Sequence, residues 1–273
     1  MKQTLENKRI RNGISVFKLI VTSILILITN SCKKDDWEAL SDTESSRIKI
    51  GLYLDYGVWD ECNTSTQDML NDLNCNYTIL NKDSVLNGNL NRYDLFIMPG
   101  GDMWIYKDSL SLTGMNKIKE FVSNGGGYIG ICGGAYFAAS TIVWRGWADE
   151  DRRYFTIKGL GLFSGTADGP IESFAPSYEE AECKIEITDT TYSLGTGVPD
   201  VITPFYSFGP NFLPDDTTKV SIIGKKVSGD SNLIIACEYN MGRVLLSSTH
   251  FEFDETYSSW ALLKNAIIWC SNN

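Results

Sequence analysis

A cysteine bracketed by glycines, Cys132, is the residue of this chain best suited to nucleophilic chemistry. It lies in the segment GGGYIGICGGAYFAA, residues 125–139, after a short apolar run and before small residues that suit a helix. The pattern predicts a strand, a sharp turn and a helix, as in a nucleophile elbow with cysteine in place of serine. Gly130, Gly133 and Gly134 suit this turn, because chain and helix come too close there for a Cβ.

The helix predicted after Cys132 would point its N–H groups and positive dipole end at the sulfur. Such a helix end favours a thiolate and can hold a developing oxyanion. The alternative interpretation is an inert buried cysteine in a glycine-rich turn.

The chain has one histidine, His250, which follows the apolar run 243–249 and precedes Glu252 by two residues. A cysteine nucleophile needs a base within hydrogen-bond reach, and that base needs an acceptor that orients it. Parallel strands gather ligands at their carboxyl ends, so Cys132 and His250 can meet there although they are far apart in sequence. The alternative is a lone surface histidine in a loop.

Apolar segments alternate with helical patterns along most of the chain, which predicts an α/β fold with a mostly parallel, doubly wound sheet and helices on both faces. The predicted strands are residues 47–54, 77–80, 93–98, 220–223, 233–238 and 243–248. The predicted helices are residues 60–73, 113–124 and 260–269. A tight hairpin turn is expected at 240–242, and an exposed loop or irregular insertion at 144–158.

Four segments, in this order, resemble the class I glutamine amidotransferase-like superfamily, whose fold is flavodoxin-like. They are residues 98–102, 127–139, 161–170 and 242–252. More narrowly, the chain resembles the amidotransferase-like domain at the N-terminus of some eukaryotic biotin-protein ligases and in free-standing bacterial proteins. The resemblance implies a catalytic triad of Cys132, His250 and Glu252. It also implies an oxyanion hole at three glycines, Gly100, Gly101 and Gly133.

The resemblance further implies a substrate pocket. The residues expected to contact substrate are Asp102, Tyr136, Thr166, Asp168, Tyr206 and Asn211. Thr166 and Asp168 belong to a family-like loop, residues 165–170, whose alternative interpretation is a surface turn. Aromatic core packing explains Phe205 and Phe208, on either side of Tyr206, at least as well as a pocket does. No cofactor and no metal are expected, because no Cys-x-x-Cys, His-rich or clustered carboxylate pattern is present.

The predicted reaction is acyl transfer from a small amide or peptide substrate to water, which makes the chain a hydrolase of C–N bonds. Glutaminases of the superfamily carry a glutamine four residues after the nucleophile, where this chain has Tyr136, which argues against glutamine hydrolysis. Biotin transfer is not expected, since the chain has no glycine-rich biotin-ligase motif. The alternatives are a non-catalytic binding or accessory protein with the same fold, and a cysteine peptidase acting on cell-wall or dietary peptides.

Residues 1–31 begin with basic residues and contain an apolar stretch, residues 20–28, that is shorter than the roughly 20 residues of a membrane span. This predicts a secretion signal. A small residue before Cys32 resembles a lipoprotein signal-peptidase site, which implies lipidation of Cys32 and an exported lipoprotein at the outer membrane of a Gram-negative-type cell envelope. Residues 32–46 read as a flexible acidic tether. Residues 47–273 are long enough for one domain with a well-buried core.

The chain carries 24 basic and 34 acidic residues, a net charge of −10, so nucleic acid is not an expected partner. The number of its cysteines, seven, argues against a complete disulfide framework, although export leaves one or two bridges open. Cys32 is assigned to lipid and Cys132 to chemistry, which leaves an odd number; whether Cys62 and Cys75 pair is open.

Overall fold

The computed structural model describes residues 38–146, 155–173, 181–188 and 192–272. The predicted signal peptide, 1–31, and Cys32 lie outside these residues. None of the helices in the described ranges combines the length and the apolar character needed to cross a membrane.

The described residues form fifteen strands and six α-helices. The strands are β1 (Ile50–Tyr53), β2 (Tyr77–Leu80), β3 (Leu95–Met98), β4 (Gly127–Ile131), β5 (Ala139–Trp144), β6 (Phe155–Lys158), β7 (Phe163–Gly169), β8 (Ala181–Glu182), β9 (Ile185–Ile187), β10 (Val201–Ile202), β11 (Phe205–Tyr206), β12 (Asn211–Pro214), β13 (Val220–Lys226), β14 (Asn232–Tyr239) and β15 (Gly242–Ser247). The helices are α1 (Asp42–Arg47), α2 (Asp60–Asp72), α3 (Lys82–Leu86), α4 (Met103–Ser123), α5 (Gly133–Ala138) and α6 (Trp260–Ser271). Single turns of 3-10 helix lie at Asn89–Arg92, Thr217–Lys219 and Phe251–Phe253.

The main sheet has nine strands in the order β10-β9-β13-β14-β15-β4-β3-β1-β2. The last five of these, from β15 to β2, pair in parallel, and the others continue the sheet antiparallel. The parallel part has the strand order of the flavodoxin-like doubly wound fold. The predicted fold class is therefore confirmed. The carboxyl ends of β3, β4 and β15 lie side by side, where the sequence placed the three candidate loops.

Helices cover both faces of the sheet, as the alternation of strand and helix predicted. Residues of β4 show the two faces: Ile129 and Ile131 pack into one buried cluster and Tyr128 into another. The first cluster also contains Leu70 of α2 and the apolar face of α6; the second contains Ile118 of α4 together with α5.

A second, four-stranded sheet with the order β12-β7-β5-β6 was not predicted. Parts of the expected loop at 144–158 belong to β5 and β6, and the expected loop at 165–170 is mostly the end of β7. Buried and more exposed residues alternate along β7. Its inner positions after Phe163 are Gly165, Ala167 and Gly169, and these small residues hide the period-two pattern that marks a half-buried strand.

The predicted tether, 32–46, overlaps folded chain. Ser41 caps α1 in a capping box with Glu44, and Leu40 and Ile48 on either side of this helix are buried in the core. The N–H of Leu40 donates to the carbonyl of Leu73 at 3.0 Å. The folded part of the chain therefore begins before residue 47. The sequence does not indicate this earlier start, because no residue of α1 itself is buried and the helix therefore has no apolar pattern.

One further boundary differs from the prediction. Helix α4 begins at Met103, ten residues before the predicted start at 113, and is interrupted at Ser111, whose φ is 54°. The hairpin turn at 240–242 is confirmed: Tyr239 pairs with Gly242, and Asn240 has a φ of 53°. Cysteines in the described ranges are free thiols, so Cys62 and Cys75 do not pair.

Candidate active site

Cys132 occupies the sharp turn between β4 and α5, with φ 48° and ψ −105°. A non-glycine residue held at positive φ costs of the order of 1–3 kcal/mol and persists only where its surroundings fix it. Here the N–H of Cys132 donates to the carbonyl of Ser247 at 2.8 Å, which ties the turn to β15. The thiol donates to the carbonyl of Ser207 at 3.2 Å, and the residue is only 2% exposed.

The glycines around Cys132 are required by close backbone contacts. A Cβ on Gly133 would lie 1.9 Å from the carbonyl oxygen of Gly101, and one on Gly134 would lie 2.1 Å from that of Met98. Helix α5 therefore reaches the end of β3 only because both residues lack a side chain. The elbow and the loop after β3 are one packed unit.

His250 follows β15 and lies beside Glu252, as the spacing predicted. Its Nδ1 is 2.8 Å from Oε1 of Glu252, and both side chains are buried. The backbone N–H of His250 donates to the carbonyl of Phe205, and its ring stacks on Phe253 with centroids 5.2 Å apart. Nε2 of His250 has no hydrogen-bond partner among the described residues, so it is available to a reacting group.

The charge state of His250 depends on its neighbours. Burial by itself lowers the pKa of His250, but the charges of Cys132 and Glu252 raise it, and the net effect is a pKa well above the ordinary value of 6.5. Cys132 therefore acts electrostatically on the histidine. A histidine so placed is a base that holds its proton firmly once it has taken it.

Sequence reasoning missed Cys62, which lies on α2 against the histidine. Its Sγ is 3.8 Å from Nδ1 of His250, and burial raises the pKa of this thiol to about 12. Gly100 makes this approach possible, since a Cβ there would lie 2.6 Å from Cε1 of His250 and 2.7 Å from the Cys62 sulfur. Nothing in the spacing of Cys62 points to the site, because its neighbours are brought there by three distant segments.

Cys62, His250 and Glu252 carry possible metal-binding atoms that all lie within 4.8 Å of one another. Sulfur, imidazole and carboxylate together suit a metal such as zinc. Nδ1 and Oε1 are, however, at hydrogen-bond distance, 2.8 Å, so a metal would have to displace the proton between them. The arrangement fits an oriented histidine better than a metal site.

The loop after β3 places the backbone N–H of Gly101 close to Gly133, the residue that follows Cys132 in the elbow. Neither Gly101 nor Gly133 donates its N–H to another residue in the described part of the chain. The hydroxyl of Tyr106 donates to the carbonyls of Pro99 and Gly100 at 3.2 and 3.1 Å and holds the loop in place. Two fixed N–H groups beside a nucleophile are what an oxyanion hole requires.

Three residues predicted to contact substrate bond to the protein near the elbow. The hydroxyl of Tyr136 donates to the carbonyl of Phe208 at 2.9 Å, and Tyr136 is 1% exposed. The hydroxyl of Tyr206 donates to the carbonyl of Gly209 at 2.8 Å. Asp102 accepts a hydrogen bond from the indole of Trp59 at 3.3 Å. Substrate contact by these side chains stays a prediction.

The other three lie on the second sheet. Asp168 forms a two-pronged ion pair with Arg145, at 2.5 and 2.9 Å. The side-chain oxygen of Asn211 accepts from the N–H of Asn232 at 2.8 Å, and Thr166 lies half-buried on β7. The side chains of Asp168 and Asn211 therefore make contacts within the protein that support the second sheet.

A cleft of about 770 Å³ opens beside the hydrogen-bonded pair of His250 and Glu252. It is lined by Glu252 and by Ser207, whose carbonyl accepts the Cys132 thiol hydrogen bond. One face of α2 and Trp260 also line it. A cleft of this volume suits a small molecule or a short peptide.

The sequence profile described as "Biotin-protein ligase, N terminal" matches residues 48–266. The biotin–protein ligase of Schizosaccharomyces pombe is 30% identical over 165 residues, which are 58% of this chain and 25% of the ligase. A protein of Chlamydia muridarum is 28% identical over 166 residues, 58% of this chain and 60% of that protein. The chain thus spans about a quarter of the length of the yeast ligase and rather more than half of the length of the Chlamydia protein.

Among solved structures, a glutamine amidotransferase from Thermotoga maritima has a TM-score of 0.53 at 13% identity, covering 83% of this chain and 99% of the other. At this identity the likeness shows the fold, which is that of the class I glutamine amidotransferases. Together with the profile match, which runs from the first strand into the last helix, it leads to one conclusion. This chain belongs to the family of biotin-protein ligase N-terminal domains.

Proposed function

We propose that this protein is an amide hydrolase that uses Cys132 as its nucleophile, His250 as its base and Glu252 to orient the histidine. The observation that carries the proposal is the 2.8 Å hydrogen bond between His250 Nδ1 and Glu252, beside a cysteine held at positive φ on a strand-to-helix turn. A residue strained in this way, next to an oriented base, is the constellation of nucleophilic catalysis.

The first step forms a bond between the Cys132 sulfur and the carbonyl carbon of the amide. The Nδ1 proton of His250 is held by Glu252, so Nε2 is the nitrogen that takes the thiol proton. The N–H groups of Gly101 and Gly133 bind the oxyanion. As the C–N bond breaks, His250 returns the proton to the leaving amine, and water, deprotonated by His250, then releases the acid from the sulfur.

The substrate is a small amide or peptide other than glutamine. Tyr136 supports this exclusion, because its ring is buried four residues after the nucleophile and its hydroxyl is bonded to Phe208. The basic and apolar residues at 1–31 support an exported lipoprotein that is anchored through Cys32, which would meet its substrate in the cell envelope.

The first test is the pH dependence of iodoacetamide alkylation at Cys132 in the full chain, read by peptide mass spectrometry. An ordinary thiol, with a pKa of about 8.5, reacts about 50 times faster at pH 8.5 than at pH 6.5, since only its thiolate reacts. We expect the rate at Cys132 to change less than about fivefold over this range, and the full 50-fold dependence to return in His250→Ala. Because the rates at the two pH values are compared as a ratio, the low exposure of the sulfur, which slows both reactions, does not affect the result.

Cys75 provides an internal control in the same digest. It is half-buried, has no histidine beside it, and burial raises its pKa to about 12. Its alkylation should therefore rise about 100-fold between pH 6.5 and 8.5, in both proteins. If Cys132 in the unaltered chain follows pH as steeply as it does in His250→Ala, the histidine does not activate the thiol and the proposal fails.

One observation favours a second function, ligand binding without turnover. Cys132 is 2% exposed and its thiol is bonded to the carbonyl of Ser207, so the sulfur is covered. A protein of this kind would use the cleft but not the thiol. The same alkylation experiment separates the two, because only a catalyst needs a histidine-dependent thiolate.

A further inference from the structure

Among the residues that the structure describes, the cleft beside the site is lined by seven carboxylate side chains and by no lysine or arginine. The carboxylates are Glu61, Asp68, Asp72, Glu182, Glu252, Asp254 and Glu255. The carboxylate of Asp254 is used inside the protein, where it accepts from the residues at 256, 258 and 259. Glu61, Asp68, Glu182 and Glu255 are exposed to solvent. The cleft therefore has a strongly negative potential over a concave surface.

The carboxylates that helix α2 contributes to the cleft reduce the stability of the helix itself. Glu61, Asp68 and Asp72 share the face of α2 that lines the cleft. Asp68 and Asp72 are a like-charged pair at i,i+4, which destabilises a helix. Both lie toward the C-terminus, where the helix dipole disfavours anions and where the last turn has no basic residue. Helix stability does not explain these carboxylates.

Five aromatic residues also line the cleft. They are Trp59, Phe205, Phe253, Tyr257 and Trp260. Tyr257 and Trp260 pack edge to face with ring centroids 4.7 Å apart. Aromatic faces and carboxylates attract the same kind of ligand, an ammonium or guanidinium group with an apolar stem.

A buried atom points to a ligand independently of the surface charge. Glu252 lines the cleft, its side chain is fully buried, and its Oε1 is bonded to His250. Its second oxygen, Oε2, is buried and accepts no hydrogen bond from any residue that the structure describes. A buried carboxylate oxygen without a donor is costly, so a donor is expected to approach it from the cleft.

We infer that this cleft binds an organic cation, and that the substrate is an amide with an ammonium or guanidinium group close to the bond that is cleaved. A peptide with a lysine or arginine side chain is such a substrate. The cation contacts the carboxylates and rings of the wall, and an N–H of the ligand donates to Oε2 of Glu252. The inference rests on the proposed function for the reaction; the binding of the cation does not depend on turnover.

Binding is measured by titration calorimetry on the full chain carrying Cys132→Ala, so that no turnover occurs. The probes are acetyl-Ala-Lys-Ala-amide and two counterparts in which norleucine or glutamate replaces the lysine. We expect the lysine peptide to bind at least about tenfold more tightly than the norleucine peptide, the smallest effect to be expected of a partly desolvated cation among rings and carboxylates. Raising the salt from low to high concentration should weaken the lysine peptide selectively.

A pair of matched triple variants tests the location. Glu61→Gln, Asp68→Asn and Glu255→Gln remove three exposed charges from the cleft, whereas Asp108→Asn, Glu120→Gln and Glu238→Gln remove three exposed charges elsewhere. The cleft triple should lose at least about tenfold in affinity for the lysine peptide, and the other should lose less than about twofold.

Equal binding of the three peptides, or equal losses in the two triples, would overturn the inference. The two proposals fail separately. If Cys132 shows histidine-dependent alkylation but the lysine peptide gains nothing over norleucine, the hydrolase stands and the cationic substrate does not. If the lysine peptide binds but Cys132 behaves as an ordinary thiol, the cleft is a cation site without the proposed chemistry.

Discussion

Gly133→Ala is expected to leave the protein largely unfolded. A Cβ at this position would lie 1.9, 2.6 and 2.7 Å from the carbonyl oxygen, carbonyl carbon and nitrogen of Gly101. These are backbone atoms of the loop after β3, which Tyr106 and the elbow hold in place, so neither side can move without breaking the site. We expect the free energy of unfolding to fall by more than about 4 kcal/mol, at the severe end for a single substitution. Urea unfolding followed by circular dichroism measures this loss.

Gly229→Ala is the matched control. It adds the same methyl group, but the nearest neighbour is the flexible side chain of Lys226, at 3.1 Å, on an exposed turn. Its free energy of unfolding should change by less than about 0.5 kcal/mol. If Gly133→Ala unfolds at the same urea concentration as the control, the elbow and the β3 loop are not packed as described.

The protein should lose stability steeply above pH 9. Burial raises the pKa of Cys62, Cys75, Cys183 and Cys237 from 9.0 to about 12 each, and it also raises the pKa of Cys270. Between these values the folded chain keeps thiol protons that the unfolded chain has lost, so the folded state binds more protons and the free energy of unfolding falls as pH rises. Five such groups lower it by about 7 kcal/mol per pH unit. Below pH 8 this contribution is fully present.

His250 adds to this effect with the same sign at lower pH, because its pKa is also raised. Its contribution is present below pH 6.5 and is lost as pH rises through its higher folded value. Urea unfolding at intervals between pH 6 and 11 records both parts.

Cys183→Ala is the control for the alkaline slope. Cys183 is buried, and it belongs neither to the elbow nor to the His250–Glu252 pair. The variant should be less stable at pH 7 because of the cavity, but its stability should fall less steeply above pH 9, by about 1.4 kcal/mol per pH unit. A free energy of unfolding that stays constant from pH 9 to 11 in the parent chain would contradict the buried state of these thiols.

The elbow, the parallel half of the sheet and the pairing of His250 with Glu252 could be predicted from the sequence, because each depends on a local pattern. Glycines at fixed offsets from Cys132 are demanded by steric contact within a few residues. Apolar runs that alternate with helical patterns determine a parallel sheet, and the carboxyl ends of its strands then meet at one edge.

The contacts of Cys62, the acidic and aromatic cleft, the second sheet and the helix within the predicted tether were decided by tertiary structure alone. Cys62 reaches His250 across 188 positions of sequence, and Gly100 leaves the space between them. The buried positions of β7 are mostly small residues, so its sequence does not show the alternation of apolar and polar residues that marks a strand. Helix α1 is held in place by Leu40 and Ile48, which are buried but lie outside the helix. A local sequence pattern indicates which side chains of one helix or strand are buried against its neighbours. Which distant side chains share a cleft follows only when the folded chain brings several segments together.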